Sequence, residues 1–412
     1  MIELSPEQKI GCDVAVNWLD NPQNHKSKPI FRIFGYAGTG KTTIIRTITS
    51  QLELTVAYAA FTGKAAMVMQ KQGLPATTIH SLIYRPIPPS KKECDALFEK
   101  IKKCENKREK SQLYNQLNEA RKVKFALRSD PPDCDLIVLD ECSMVNQEML
   151  DDLLSFEIPI IALGDPGQLP PINGPGAIIA VPPDVLLTEV HRQAKDNPII
   201  DFATRARKGI PLPYMKDGAA KCLSRSQVGR TKVLTADQVI TGKNATRREL
   251  NNTIREHFGF NSVYPDLGEK LICLANDRID AGDGGMIPIY NGMMGIVTEV
   301  GKILDTAIML KIKFEALGDP LYDKPLDVKV LLAHFHAYSD PTALQNVRWW
   351  DRRDNQEFDF GYAITVHKSQ GSQWDNVVLW DDKFLTWDRK ERAKWLYTGI
   401  TRASKELLVV SN

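Results

Sequence analysis

Residues 35–42 read Gly-Tyr-Ala-Gly-Thr-Gly-Lys-Thr, which fits the spacing G-x-x-x-x-G-K-[ST]. These residue types in this order suit a chain of phosphates. Glycines let the backbone curl until successive N–H groups converge on an anion. A helix opening directly behind the loop adds the positive end of its dipole. Lys41 is placed to reach the β- and γ-phosphates, and Thr42 to ligate Mg²⁺. The apolar run FRIF precedes the loop and TTIIRTI follows it, the strand–loop–helix context of a P-loop. The expected nucleotide cradle is Gly35, Gly38, Thr39, Gly40, Lys41, Thr42 and Thr43. A second pair of chemical groups, Asp140 and Glu141, ends the apolar run 136–139. At the C-terminal end of a parallel strand such a pair lies beside the phosphate loop. Asp140 then holds Mg²⁺, and Glu141 orients or deprotonates the attacking water. The plain alternative is a solvated acid pair at a strand end; the P-loop tips the choice toward catalysis.

These groups need a parallel sheet to position them. Runs 30–34, 55–59, 136–139 and 158–163 predict buried strands, and 42–52 and 63–72 predict crossover helices, so the first third is βαβ. Two stretches interrupt the pattern. Residues 86–132 are bounded by prolines and carry 12 Lys/Arg against 6 Asp/Glu between positions 91 and 128. Apolar residues recur there at helical spacing (Leu97, Ile101; Leu113, Leu117), which predicts a basic helical arm. Residues 264–354 are rich in glycine, proline and short β-type runs (IYNGMMGIVTEV, AIMLKIKF, DVKVLLAHF), which reads as a small antiparallel β-barrel module. The βα pattern then resumes to residue 412.

The 412 residues are 43% hydrophobic, 25% charged and 8% aromatic, the composition of a globular protein with room for several domains. Lys+Arg 53 against Asp+Glu 51 leaves +2, so any basic surface is local. No apolar run approaches the ~18 residues of a membrane span, and the start MIELSPEQ has no apolar core of a secretory signal. The seven cysteines are widely spaced with no C-x-x-C, which disfavours a disulfide framework or a zinc site. A cytoplasmic location with reduced thiols and no membrane contact is the expectation.

Further blocks fall in order: LSPEQ at 4–8, AFTGKAA at 60–66, TTIHS at 77–81, GDPGQLPP at 164–171, LTEVHRQ at 187–193, TVHKSQG at 365–371 and YTGITRA at 397–403. Together they resemble the superfamily 1 DNA helicases, specifically the RecD/Dda-like branch, over nearly the whole chain. The resemblance implies an α/β fold with two tandem RecA-like P-loop domains and ATP between them. The first spans 1–85 and 133–185, with the helical arm 86–132 inserted. The second spans 186–263 and 355–412, with 264–354 as an SH3-like barrel insert. It implies an ATP-hydrolysing, Mg²⁺-dependent enzyme that moves 5′→3′ on single-stranded DNA and unwinds duplex forks. It also implies a monomer working beside replication or recombination proteins.

The resemblance also assigns residues. Gln8 matches the adenine-reading glutamine, and Gln168 the γ-phosphate sensor. Arg192 and Arg402 match two arginines that the second domain points at the γ-phosphate. Gly371 and Gln373 fall in the block near the nucleotide; many relatives have Glu where Gln373 stands, so the charge that contacts ribose is missing here. Thr62, Lys64, Thr78 and His80 in the first domain, and Thr365, His367 and Lys368 in the second, match blocks that contact the DNA strand. His80 and His367 suit either that role or a structural one. Asn244 and Arg247, with Asn251, fit DNA contact, a hinge or helix capping equally. Two rival functions remain: an RNA or RNA–DNA helicase, and a P-loop switch or loader that binds DNA without unwinding it.

Overall fold

Two parallel sheets carry the chain, and a computed structural model describes residues 4–87, 90–120, 124–170, 176–189, 197–280, 286–315, 320–340, 342–345, 347–382, 384 and 388–411. The first sheet has six strands in the order Ala76–Thr78, Val56–Ala60, Leu136–Asp140, Ile160–Gly164, Ile30–Gly35 and Val185–Leu187. All its pairs are parallel. Its inner strands are mostly Ile, Leu, Val, Phe and Ala, as strands covered on both faces require. Helices Lys41–Ser50 and Pro6–Leu19 pack on one face through Ile44, Ile45, Ile48, Ala15 and Trp18. The three central strands, Leu136–Asp140, Ile160–Gly164 and Ile30–Gly35, are direct neighbours. Their C-terminal ends therefore bring three loops together at one edge, where parallel α/β sheets bind ligands.

The second sheet has five parallel strands in the order Ala363–Thr365, Gln238–Thr241, Trp374–Trp380, Ala403–Ser411 and Ala220–Ser224. Helices Pro198–Arg207 and Arg389–Ile400 cover it, with Phe202, Trp395 and Tyr397 in the core. Leu169 of the first domain is buried in that same core, so the two halves meet through apolar packing.

Two inserted elements follow. Helices Lys91–Lys103 and Lys107–Ala120 pack through Cys94, Ile101, Leu117 and Ala120. They stand on an antiparallel ribbon, Tyr84–Ile87 with Lys124–Leu127, so the arm begins on a strand pair that the proline count did not reveal. Phe98 of the arm meets Trp350 edge-on, with ring centroids 5.0 Å apart. The arm is therefore not a free appendage of the first domain. The other insert is a five-stranded antiparallel sheet, ordered Leu326–Leu331, Ala307–Phe314, Met294–Ile303, Lys270–Cys273 and Phe358–Phe360.

Two expected boundaries shift. Val185–Leu187 pairs with Ile30–Gly35, so the first domain runs past residue 185. Phe358–Phe360 pairs with Lys270–Cys273, so the inserted sheet runs past residue 354. All seven cysteines are free thiols. Among the described residues no helix is long and apolar enough to cross a membrane.

Candidate nucleotide and strand-binding sites

The phosphate loop leaves the strand Ile30–Gly35 and turns through two left-handed glycines, Gly38 (φ 78°) and Gly40 (φ 77°). No side chain caps the helix Lys41–Ser50 that follows. The first turn of that helix therefore has no side-chain cap on its N–H groups, the arrangement that receives an anion. Thr39 is buried and its hydroxyl donates to Tyr36 O at 2.8 Å, closing the turn. Lys41 Nζ donates to Gly35 O at 2.8 Å and Tyr36 O at 3.3 Å, so the ammonium lies over the loop. Thr42 and Thr43 are half-buried in the first helical turn. Gln8 is buried; its Nε2 donates to Thr39 O at 3.0 Å and its Oε1 accepts from Ser5 N at 2.9 Å. The amide thus braces the loop against the N-terminal helix.

Asp140 ends its strand beside this loop. Its Oδ1 accepts from Glu141 N at 2.8 Å. Glu141 adopts φ 52°, a left-handed backbone that costs a non-glycine residue about 1 kcal/mol or more and is found where function demands it. Burial pushes both carboxyls above the ordinary acid range. Lys41 works against that for both, and Arg402 for Glu141. Burial also pushes the neighbouring Cys142 thiol up. In the third loop Gln168 is buried, and its Oε1 has no hydrogen-bond partner among the described residues. Buried acceptors normally find donors, so this one is placed for a missing group.

The second domain contributes Arg402, which is 4% exposed. Its guanidinium donates to Thr398 O at 3.0 Å, Ser372 O at 3.1 Å and Thr401 Oγ1 at 3.1 Å. None of these acceptors is charged. Gly371 (φ 72°) lies where an added β-carbon would sit 3.0 Å from Thr62 Oγ1. Gln373 is exposed, with Nε2 3.4 Å from Thr401 O. Arg192 lies outside the described residues.

The expected strand contacts divide. Thr62, Thr78 and Thr365 each cap a helix, accepting from Ala65 N, Ser81 N and Lys368 N. His80 sits among the rings of Phe61, Tyr84 and Phe125, and burial lowers its pKa. Burial likewise lowers that of His367. Both are therefore neutral at pH 7 and act as hydrogen-bond groups, not as cations. Lys368 donates to Leu274 O at 3.4 Å and to Asn291 Oδ1. Lys64 is buried, 3.7 Å from Glu315 and over the Trp374 ring. Arg247 is paired with Asp359 at 2.6 Å, both side chains largely buried. Lys64 and Arg247 are thus committed to the fold, and Asn251 to holding Ala363 through both amide atoms. Asn244 is exposed at the first turn of the helix Asn244–His257.

A family model described as an AAA domain matches residues 24–223, and one described as a UvrD-like helicase C-terminal domain matches residues 360–410. The ATP-dependent DNA helicase dda of Enterobacteria phage T4 is 30% identical over 475 residues, covering 99% of either chain. This chain belongs to the Dda-like superfamily 1 DNA helicases. The ATP-dependent RecD2 DNA helicase of Deinococcus radiodurans is 25% identical over 90% of this chain, which spans 45% of RecD2. Among solved structures, the Pif1 helicase from Bacteroides in complex with ADP-AlF3 and ssDNA has a similar fold, with a TM-score of 0.52 at 17% identity. That likeness covers 100% of this chain and 93% of the Pif1 chain.

In this Dda-like chain Tyr397, Thr398 and Gln370 of the second domain bond Ala37, Asp165 and Leu169 of the first, and Arg207 stacks on Tyr36, partnerships that spacing alone does not show. Tyr397, Thr398, Gln370 and Asp165 lie inside the quoted blocks, so their positions were visible and their partners were not. Arg207 carried no signal, since a basic residue at a helix C-terminus is ordinary.

The acid pair yields a stability prediction. A carboxyl raised by burial opposes folding once ionised, so its cost is full above its raised pKa and vanishes below the ordinary acid value of about 4.3. Glu141→Gln is expected to melt higher than the parent at neutral pH without nucleotide, by about 2 °C per kcal/mol recovered. The gap should close as pH falls toward about 4. Calorimetry across that range checks it; a variant that melts lower at neutral pH would contradict the electrostatic cost. The backbone at position 141 is equally strained in both proteins, so it cancels.

Proposed function

We propose that this chain is an ATP-driven motor that moves 5′→3′ along single-stranded DNA and unwinds duplex at forks. One observation carries the reading: the phosphate loop and acid pair belong to the first domain, and the buried Arg402, whose charge acts on Glu141, comes from the second. A site divided in this way is complete only when the domains meet, so nucleotide turnover and domain closure become one event. Kinship with the phage helicase supports DNA as the track.

The described groups fit a nucleotide bound with Mg²⁺. Left-handed glycines and an uncapped helix suit phosphates, burial raises the acid pair so that a further positive charge beside it is favoured, and Gln168 Oε1 lacks a donor among the described residues. Thr42 and Asp140 would hold the ion, which supplies neutralising charge on the phosphate oxygens. Lys41 neutralises the same oxygens from the loop. Glu141 takes the proton of the attacking water at its carboxylate, and Gln168 orients that water or the terminal phosphate. Gln8 fixes the loop from behind. Arg402 compensates charge that develops on the transferred phosphoryl group. Arg192 is proposed for the same task. Thr62, Thr78 and His80 in one domain, and Thr365, His367 and Lys368 in the other, form two grips on the strand. Their donors meet phosphate oxygens, which carry no sequence information.

Duplexes with only a 5′ or only a 3′ single-stranded tail test the reading. ATP should drive separation of the 5′-tailed DNA alone, and an RNA tail should not substitute. Separation from the 3′ tail reverses the polarity. ATP turnover stimulated by single strands without separation of either duplex leaves a loader, and equal work on RNA leaves an RNA helicase.

A further inference from the structure

A single phenol ties the domains together at the phosphate loop. Tyr397, on the helix Arg389–Ile400 of the second domain, is 1% exposed. Its oxygen accepts from Ala37 N, inside the phosphate loop, at 2.8 Å. Its hydroxyl donates to Asp165 Oδ2, in the loop that carries Gln168, at 2.6 Å. The other oxygen of Asp165 accepts from Gly167 N at 2.9 Å. A β-carbon at Gly167 would lie 2.8 Å from the Tyr397 ring, so only glycine admits the ring this closely. One residue away in the phosphate loop, the Arg207 guanidinium stacks on Tyr36, 3.5 Å from the ring centroid. Two side chains of the second domain therefore hold adjacent residues of the loop.

We infer that Tyr397 is a positioning residue that couples the conformation of the phosphate loop to closure of the two domains, with Arg207 as its second hold. This rests on the motor reading above. The coupling is geometric. Separating the domains strips a partner from Ala37 N–H and from the Asp165 carboxylate at once, and each net hydrogen bond is worth about tenfold in an equilibrium. Rearranging residues 36–37 around a phosphate pulls on the same hydroxyl. That motion reaches the helix Arg389–Ile400, and Arg402 lies just beyond its C-terminal end. Thr398 adds to the hold by accepting from Leu169 N at 3.0 Å, and Gln370 Nε2 by donating to Leu169 O at 3.1 Å. Burial and Asp165 keep the phenol protonated at all working pH values, so its donor role is permanent.

The test compares the full chain with Tyr397→Phe, which keeps the ring and removes the oxygen. Hydrogen exchange without nucleotide reads the coupling directly: amides in 35–43 should exchange about tenfold faster, the factor for one lost hydrogen bond. The ratio of ATP turnover with and without single-stranded DNA should fall by roughly the same factor, with the KM for ATP within about threefold. Arg207→Gln, which alters a half-buried side chain, should accelerate exchange in the same segment by a smaller factor. Wild-type exchange in Tyr397→Phe overturns the inference. So does an equal fall of both turnover rates, which a merely structural residue would produce. The exchange arm needs no DNA. A parent chain indifferent to DNA would therefore defeat the motor reading while exchange still decides the coupling.

Discussion

Lys41→Ala is expected to abolish ATP turnover in a protein that still folds. The ammonium rests on two carbonyls of its own loop, Gly35 O and Tyr36 O. It is the one cation whose charge acts on both Asp140 and Glu141 among the described residues. Truncation leaves the glycine turns and the buried isoleucines of the helix Lys41–Ser50 in place, so the loss of structure is small. The loss of chemistry is large, because charge developing between the β- and γ-phosphates then has no fixed counter-charge from the loop. Phosphate release at saturating ATP, read beside a circular-dichroism melt, checks both halves. Turnover within about tenfold of wild type would sink the assignment of residues 35–42 as the phosphate site.

Arg402→Ala is expected to cut turnover by roughly 10³ while nucleotide binding stays within about tenfold, the pattern of an arginine that acts on the transition state. The guanidinium is held by three neutral acceptors, so no hydrogen-bond partner neutralises its charge, which acts on Glu141. Arg402→Lys keeps the charge and loses the three-way hold, and should recover only a small part of the rate. Equal losses in binding and turnover would make Arg402 a ground-state ligand. A lower melting temperature alone would make it a structural residue.

The sequence made the nucleotide site legible because that chemistry demands residue types at fixed spacing. Gly38, Gly40 and Lys41 can be read from eight letters, and Asp140 from its place after four apolar ones. The first sheet followed for the same reason, its buried strands being continuous apolar runs. Partners brought together by folding were not legible. Lys64 reads as a strand contact, and Arg247 as a candidate for DNA contact, a hinge or capping; neither spacing shows Glu315 or Asp359, which distant elements bring beside them. Strand pairing across the chain moved two domain boundaries, since Val185–Leu187 and Phe358–Phe360 are too short to declare which sheet they join. Tyr397 stood in plain view, but a phenol's two hydrogen bonds leave no trace in spacing.

The arm that meets Trp350 has a mechanical meaning. Gly63 of the first domain presses on Tyr290 of the insert so closely that a β-carbon there would stand 2.4 Å from the ring. Met67, one helical turn on, is buried in the core of that same insert. Phe98 touches Trp350 through a separate element. Two ring contacts between the same two bodies are disturbed least by turning about the line that joins them. Opening at the phosphate loop then resembles a door on two hinges with Tyr397 on the latch side.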